Sequence, residues 1–280
     1  MRKAREVGIN FLDDARYNDE TGTAPMKSGY SEVVFGELFR ASGWKRAEVI
    51  LANKLWWEFW PEQSAEAELD GSLKRMGMDY LDLVYAEKPP EGLSVDHIVH
   101  DVAALIATGK VRAWGVLNWP AALIAEAAAA AAVQRVAPPC AAQLAYSLIR
   151  RSPVEDADMV DALGVAGASV VASFTLNGGA LTGKYGKPDA HGRLVGELDH
   201  EMHQRALRSS DDLRLLAESM DTLPAVLAIA FALLNPNVAS VLFGSTTPDQ
   251  VAENVSAVEL RSKLDEQTVA RLRQIGRQQS

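Results

Sequence analysis

Three short apolar runs in this chain each end in side chains that can hold or move a proton. Residues 9–13 lead into Asp13-Asp14-Ala15-Arg16-Tyr17, residues 49–54 end on Asn53-Lys54, and residues 81–86 are followed by Glu87-Lys88-Pro89. One polar group at the end of a run means little. A carboxylate, a phenol, a lysine and a second carboxylate at three successive ends make an acid–base set. A lysine ammonium favours the phenolate of a nearby tyrosine, and a buried carboxylate tunes the lysine in turn. Two later runs bring carboxamides, Asn118 after residues 111–117 and Gln143 within residues 141–144.

To gather such groups, the runs must be parallel strands whose C-terminal ends share one face. Seven strand candidates are present, at 9–13, 49–54, 81–86, 111–117, 141–144, 169–173 and 239–243. Several are continuously apolar, as strands covered on both faces are. Helical patterns lie between them. Residues 64–76 space Ala67, Leu69, Leu73 and Met76, and residues 95–108 repeat Ile98, Val102, Leu105 and Ile106. Residues 222–234 open with Thr222 as an N-cap and Pro224 in the first turn, and residues 248–258 and 265–275 close the chain. The alanines of 127–132 read as helix filler. Residues 185–200 read as a long surface loop of the kind that serves as a lid. Strands alternating with crossover helices imply an α/β chain with a parallel sheet, and the 280 residues suit a single barrel domain over 1–280. A closed (β/α)8 TIM-type barrel has eight strands, so seven visible strands lead us to expect that the first strand and an N-terminal hairpin are lacking.

Several segments together resemble the aldo-keto reductase family. Gly8-Ile9-Asn10-Phe11-Leu12-Asp13 is similar to the segment of its catalytic aspartate, Leu51-Ala52-Asn53-Lys54 to that of its lysine, and residues 73–83 to the approach to its fourth catalytic position. Residues 109–119, 143–148, 178–185 and 244–254 follow in family order. The resemblance implies a barrel that reduces carbonyls with NADP (NAD remaining open) and without metal. It implies Asp13, Tyr17, Lys54 and Glu87 as the catalytic set, with Tyr17 giving the proton. It places Asn118 and Gln143 at the nicotinamide carboxamide, and Leu176, Gly178, Gly244, Ser245 and Thr246 along the cofactor. Gln250, Glu253 and Asn254 fall at its adenosine end.

The chain departs from the family pattern in ways that bear on chemistry. The interval from Asp13 to Tyr17 is one residue short, Asn18 falls where the tyrosine belongs, and Tyr30 is the second candidate. Glu87 stands where the family usually has histidine, as in its steroid 5β-reductases; a protonated glutamate there suits an enone oxygen. Ser173 occupies the slot of the aromatic that stacks on nicotinamide, with Phe174 beside it. Ser245-Thr246-Thr247 lacks a cation for a 2′-phosphate, so preference for NADPH over NADH should be modest. Trp56, Trp57 and Trp60 follow Lys54 and, with Trp119, read as an apolar wall for a bulky substrate; a packed loop or subunit contact is the other reading.

Bulk properties narrow the partners. A net charge of −9 argues against nucleic acid or an anionic membrane. With one cysteine, Cys140, there is no intrachain disulfide, and the N-terminus has no apolar segment of a signal peptide. Cytoplasmic location is the default expectation, with a small-molecule substrate and homo-oligomer formation left open. His200 and His203 are close but bring no third ligand, so no metal site is expected. A catalytically weak, cofactor-binding interaction protein, like the potassium-channel β-subunits of the family, is the competing reading.

Overall fold

A computed structural model describes residues 1–18, 23–186, 192 and 194–277. In chain order the elements are α1 (Arg2–Glu6), β1 (Phe11–Asp13), α2 (Tyr30–Ser42), β2 (Ile50–Leu55), α3 (Ala65–Met76), β3 (Leu81–Ala86) and α4 (Val95–Ala107). They continue with β4 (Val111–Leu117), α5 (Ala121–Gln134), β5 (Ala141–Ala145), α6 (Ser152–Glu155), α7 (Ala157–Ala166) and β6 (Ser169–Ser173). The chain ends with α8 (Glu201–Ser219), α9 (Pro224–Leu233), β7 (Val238–Val241), α10 (Pro248–Val255), α11 (Ala257–Arg261) and α12 (Glu266–Ile275). The α/β class and the parallel β/α alternation of a TIM-type barrel are borne out, with seven strands among the described residues. By contact the chain forms two compact units, Met1–Gln143 with Ala157–Ser169, and Leu144–Asp156 with Val170–Ser280.

In the first unit every ladder is parallel and joins strands consecutive in sequence. Phe11 pairs with Ile50, Lys54 with Tyr85, Ala86 with Val116, and Leu117 with Gln143. Beyond Ile50, all of β2 is buried, which is why its sequence is continuously apolar up to Asn53-Lys54. Helices α2, α3, α4 and α5 pack as successive neighbours outside these strands. Ser64 caps α3 by accepting the Ala67 amide, and Gly77 ends it in a left-handed turn. Leu69, Leu73 and Met76 face inward as expected; Ala67 is exposed, because its turn of the helix is buried through Ala65 and Glu68 instead. The alanine run is helical within α5, where Ala127, Ala128 and Ala131 are buried. Two glycines set how closely elements approach. A Cβ on Gly36 would lie 2.2 Å from the Met76 carbonyl oxygen, and one on Gly115 would lie 2.4 Å from that of Ala141. Neither position has room for any side chain.

In the second unit β6 pairs with β7 in parallel, with an irregularity between Val170 and Val171. Helix α9 is buried on nearly every side and packs on α8, α11 and β7. Its start corrects one expectation. Leu223, in extended conformation, is the N-cap, while the Thr222 amide donates to Ala217 O at 3.0 Å and so completes the end of α8. The helix expected at 248–258 is broken at Ser256 into α10 and α11. Within 185–200, residues 187–191 and 193, His191 included, lie outside the described residues. Leu194 is buried, and the Tyr185 hydroxyl donates to Gly178 O at 3.0 Å.

Candidate active site

Parallel register brings the first-unit groups together. Asp13 ends β1 opposite Ala52, so the Lys54 side chain, two residues on and on the same face, reaches it. The Lys54 ammonium, 3% exposed, pairs with the Asp13 carboxylate and donates to the Asp14 carbonyl at 2.9 Å. Gln143 Nε2 donates to the same Asp13 oxygen at 3.3 Å. The other Asp13 oxygen, Oδ1, is buried without a partner. The Lys54 Nζ also stands 5.8 Å from the centre of the Tyr85 ring, the geometry of a cation–π contact. The Tyr85 hydroxyl is likewise buried without a partner, and burial, reinforced by the Asp13 charge, holds its proton on more firmly than usual. A desolvated ion pair thus borders two orphaned polar atoms, which is the arrangement a bound polar group would complete.

Asp14 follows directly after β1. Burial pushes its carboxyl up to about 6; the Glu32 and Asp13 charges add to this, while the Ala15 amide and Lys54 oppose it. Behind the strand, Glu32 is fully buried, accepts from Asn53 Nδ2 at 2.8 Å and pairs with Arg75.

The remaining catalytic candidates are spread more widely. Tyr17 is 53% exposed and meets Trp56 edge-on, with ring centres 6.3 Å apart. Tyr30, the second candidate, opens α2 and is half-buried. Glu87 extends the β3 ladder through its amide, which donates to Leu55 O at 2.9 Å, and its Oε1 accepts the Lys88 amide at 2.9 Å. Asp13 and Lys54 therefore converge, whereas the Glu87 carboxylate bonds to its own loop.

The aromatic loop after β2 is pinned from below. Glu68, in the first turn of α3 and 4% exposed, accepts the amides of Trp56 at 2.9 Å and Trp57 at 3.1 Å. Burial raises its pKa, opposed by those two amides and by Arg16. Arg16 bridges to Glu58 at 2.6 Å and lies over the Phe59 ring at 5.3 Å. Trp57, in a left-handed conformation with φ 50°, is buried, as is Trp119, while Trp56 and Trp60 are half-buried. Trp57 thus anchors the loop, and Trp56 and Trp60 are the faces it leaves partly open.

Among the expected cofactor groups, Asn118 is exposed with φ 52°, and its amide donates to Gln143 O at 2.8 Å. In the second unit, Leu176 precedes a turn through Gly178 (φ 63°) and Gly179 (φ 92°). Gly244, Ser245 and Thr246 lead into α10, where Gln250 Oε1 accepts the Thr246 amide at 2.9 Å and Asn254 Nδ2 donates to Ser245 Oγ at 3.4 Å. Glu253 is exposed on the same helix. This cluster is made of neutral amides and hydroxyls at a helix N-terminus, a setting that accepts a hydroxylated or anionic group. Sequence reasoning missed Tyr85, Asp14 and Glu68. Only Tyr85 had a signal: a phenol near the C-terminal end of a buried strand.

Comparison with known proteins bears on these groups. The model of the aldo/keto reductase family matches residues 1–277. A rice protein (Oryza sativa subsp. japonica) named "Probable voltage-gated potassium channel subunit beta" is 30% identical over 289 residues, covering 97% of this chain and 84% of its own. An Arabidopsis thaliana protein of the same name is 28% identical over 274 residues, covering 93% of this chain and 81% of its own.

Proposed function

The chain belongs to the aldo/keto reductase family, and from that premise we propose that it is a cytoplasmic NADP(H)-dependent oxidoreductase acting on an apolar carbonyl or α,β-unsaturated ketone. The observation that carries this reading is the buried Asp13–Lys54 pair, whose cation lies on one phenol ring, Tyr85, at the end of the strands. The cofactor, when bound, supplies the hydride. Asn118 and Gln143 hold its carboxamide, Leu176, Gly178, Gly244, Ser245 and Thr246 follow its length, and Gln250, Glu253 and Asn254 take the adenosine end. Lys54 keeps a positive charge beside the reacting oxygen, and Asp13 fixes the lysine in place. Tyr17 gives the proton from the rim beside Trp56, and Glu87 would reach the substrate oxygen once its carboxylate leaves the Lys88 amide. Trp56 and Trp60 line the apolar side, and Trp119, expected there, is instead buried in the core. Among the described residues no lysine or arginine takes part in the Ser245–Thr246–Gln250 cluster, which supports only a modest preference for NADPH over NADH.

The test is single-turnover oxidation of NADPH, followed by nicotinamide fluorescence, with a panel of aldehydes and enones. Turnover lost in Lys54→Met and in Tyr17→Phe, with cofactor binding kept, supports the reading. Turnover unchanged in Tyr17→Phe but lost in Tyr85→Phe moves the proton donor to the buried phenol. A second reading has its own support. Both relatives carry the name of a channel subunit, and Tyr17 is half exposed. Tight NADPH binding with no turnover of any carbonyl would favour a regulatory, cofactor-sensing interaction protein.

A further inference from the structure

The second unit holds a cavity that the reductase reading does not use. Its volume is ≈ 580 Å³, and it lies between the turn after β5, the turn after β6 and the start of α8. Its polar lining consists mainly of hydrogen-bond donors. Arg150, Arg151 and Arg205 border it, and among the described residues no carboxylate does. Arg205 spends Nη2 on the Gly276 carbonyl at 2.7 Å, which leaves its Nε buried and unpartnered. Arg151 has a buried, unpartnered Nη1. The nearby carboxylate, Glu155, is already shared by the Tyr146 hydroxyl at 2.6 Å and Arg273 at 2.9 Å.

Two imidazoles add donors of the same sense. His200 Nδ1 accepts the Met202 amide at 3.2 Å, and His203 Nδ1 lies 3.1 Å from Asn177 Nδ2. With Nδ1 accepting in each ring, Nε2 carries the proton and is a donor even in the neutral form. The N-terminus of α8, a helix of 19 residues, adds its positive dipole end. Buried guanidinium N–H groups without acceptors are costly, and two of them beside neutral donors favour an oxyanion that offers several acceptor oxygens. Ile149, Phe174 and Met202 supply apolar wall, and the volume falls in the roughly 300–1,000 Å³ range of small-molecule sites. A bare ion would leave most of it unfilled.

We propose that this cavity binds the phosphate group of a phosphorylated small molecule, held by Arg151 and Arg205, with Arg150, His200 and His203 around it. The inference does not depend on carbonyl turnover. The test is calorimetric titration of the full chain with inorganic phosphate and with phenyl phosphate, in a buffer low in other anions. Saturable binding with one site per chain is expected, tighter for phenyl phosphate because the apolar wall is then used. Arg151→Met and Arg205→Lys should each weaken it by about tenfold or more, the loss of a charge-assisted hydrogen bond. Arg150 is exposed, so Arg150→Met is a variant whose folding is not in question, and it should weaken binding by a smaller but measurable factor. Displacement of phosphate by NADP⁺ but not NAD⁺ would assign the phosphate to the cofactor. Displacement by neither would assign it to a separate phosphorylated ligand. Absence of saturable binding, or the same affinity in all variants, overturns the proposal.

Discussion

Asp14→Asn is expected to stabilise the chain at neutral pH and to do little at acid pH. The carboxyl is raised from 3.8 to about 6, first by burial and then by the Glu32 and Asp13 charges. Below 3.8 the folded and unfolded chains both carry the proton. Between that value and about 6 the unfolded chain ionises while the folded chain retains its proton, so stability falls as pH rises. Above about 6 the deficit is constant. At about 1.4 kcal/mol per pH unit, the gap between 3.8 and about 6 sets a ceiling of about 3 kcal/mol. Asparagine keeps the shape and cannot ionise, and the Asp14 carbonyl that accepts from Lys54 is backbone, so that contact survives. In a chain of this size each kcal/mol moves Tm by roughly 2–4 °C, so the gain at pH 8 should reach up to roughly 6–12 °C. Thermal melts of both proteins from pH 4.5 to pH 8 measure it. An increment that is the same at every pH, or a loss of stability at pH 8, would refute the desolvation argument.

The Asp13–Lys54 pair is sensitive to which partner is removed. Asp13→Asn leaves the Lys54 cation buried and unpaired and should cost about 3–5 kcal/mol in urea denaturation, whereas Lys54→Met, which removes the cation, should cost less. Equal losses would mean the pair is solvated in solution. Glu68→Ala removes the acceptor of two loop amides; we expect about 2–4 kcal/mol of destabilisation and a more open Trp56–Trp57 segment, read as increased amide exchange there. For Glu87→His, the ratio of kcat/KM for an enone to that for a matched saturated aldehyde should fall, and an unchanged ratio would leave Glu87 with a structural role alone.

How far the sequence carries can be judged from particular residues. Residues 81–86, 111–117 and 169–173 coincide with β3, β4 and β6, because strands covered on both faces write their limits as apolar runs. The Asp13–Lys54 contact was legible for the same reason: both residues end such runs. Helices α2 and α8 were not anticipated. α2 begins at Gly29, a left-handed cap with no side-chain bond, so the usual start signal is absent. α8 buries small residues, Ala206, Ser209, Ser210 and Ala217, beside only two leucines, and its charges hide the stripe. The role of Asp14 was out of reach for a different reason. Its neighbour Glu32 is 18 positions away in a helix that was not foreseen, and a desolvation effect depends on what packs over a group, which spacing alone does not encode.

The strict adjacency of ladders in the first unit also bears on how the chain is made. Each strand pairs with the strand synthesised immediately before it, so every closure spans about one β/α unit and none waits for a distant segment. The entropy of loop closure grows only slowly with length, and contacts that are local in sequence form early. A chain leaving the ribosome from its N-terminus can therefore add one strand and one helix at a time to a growing template, with Gly36 and Gly115 already shaped for the neighbour that arrives next. Asp13 and Lys54 lie on the neighbouring strands β1 and β2, so the pair itself needs no residue of the C-terminal half of the protein.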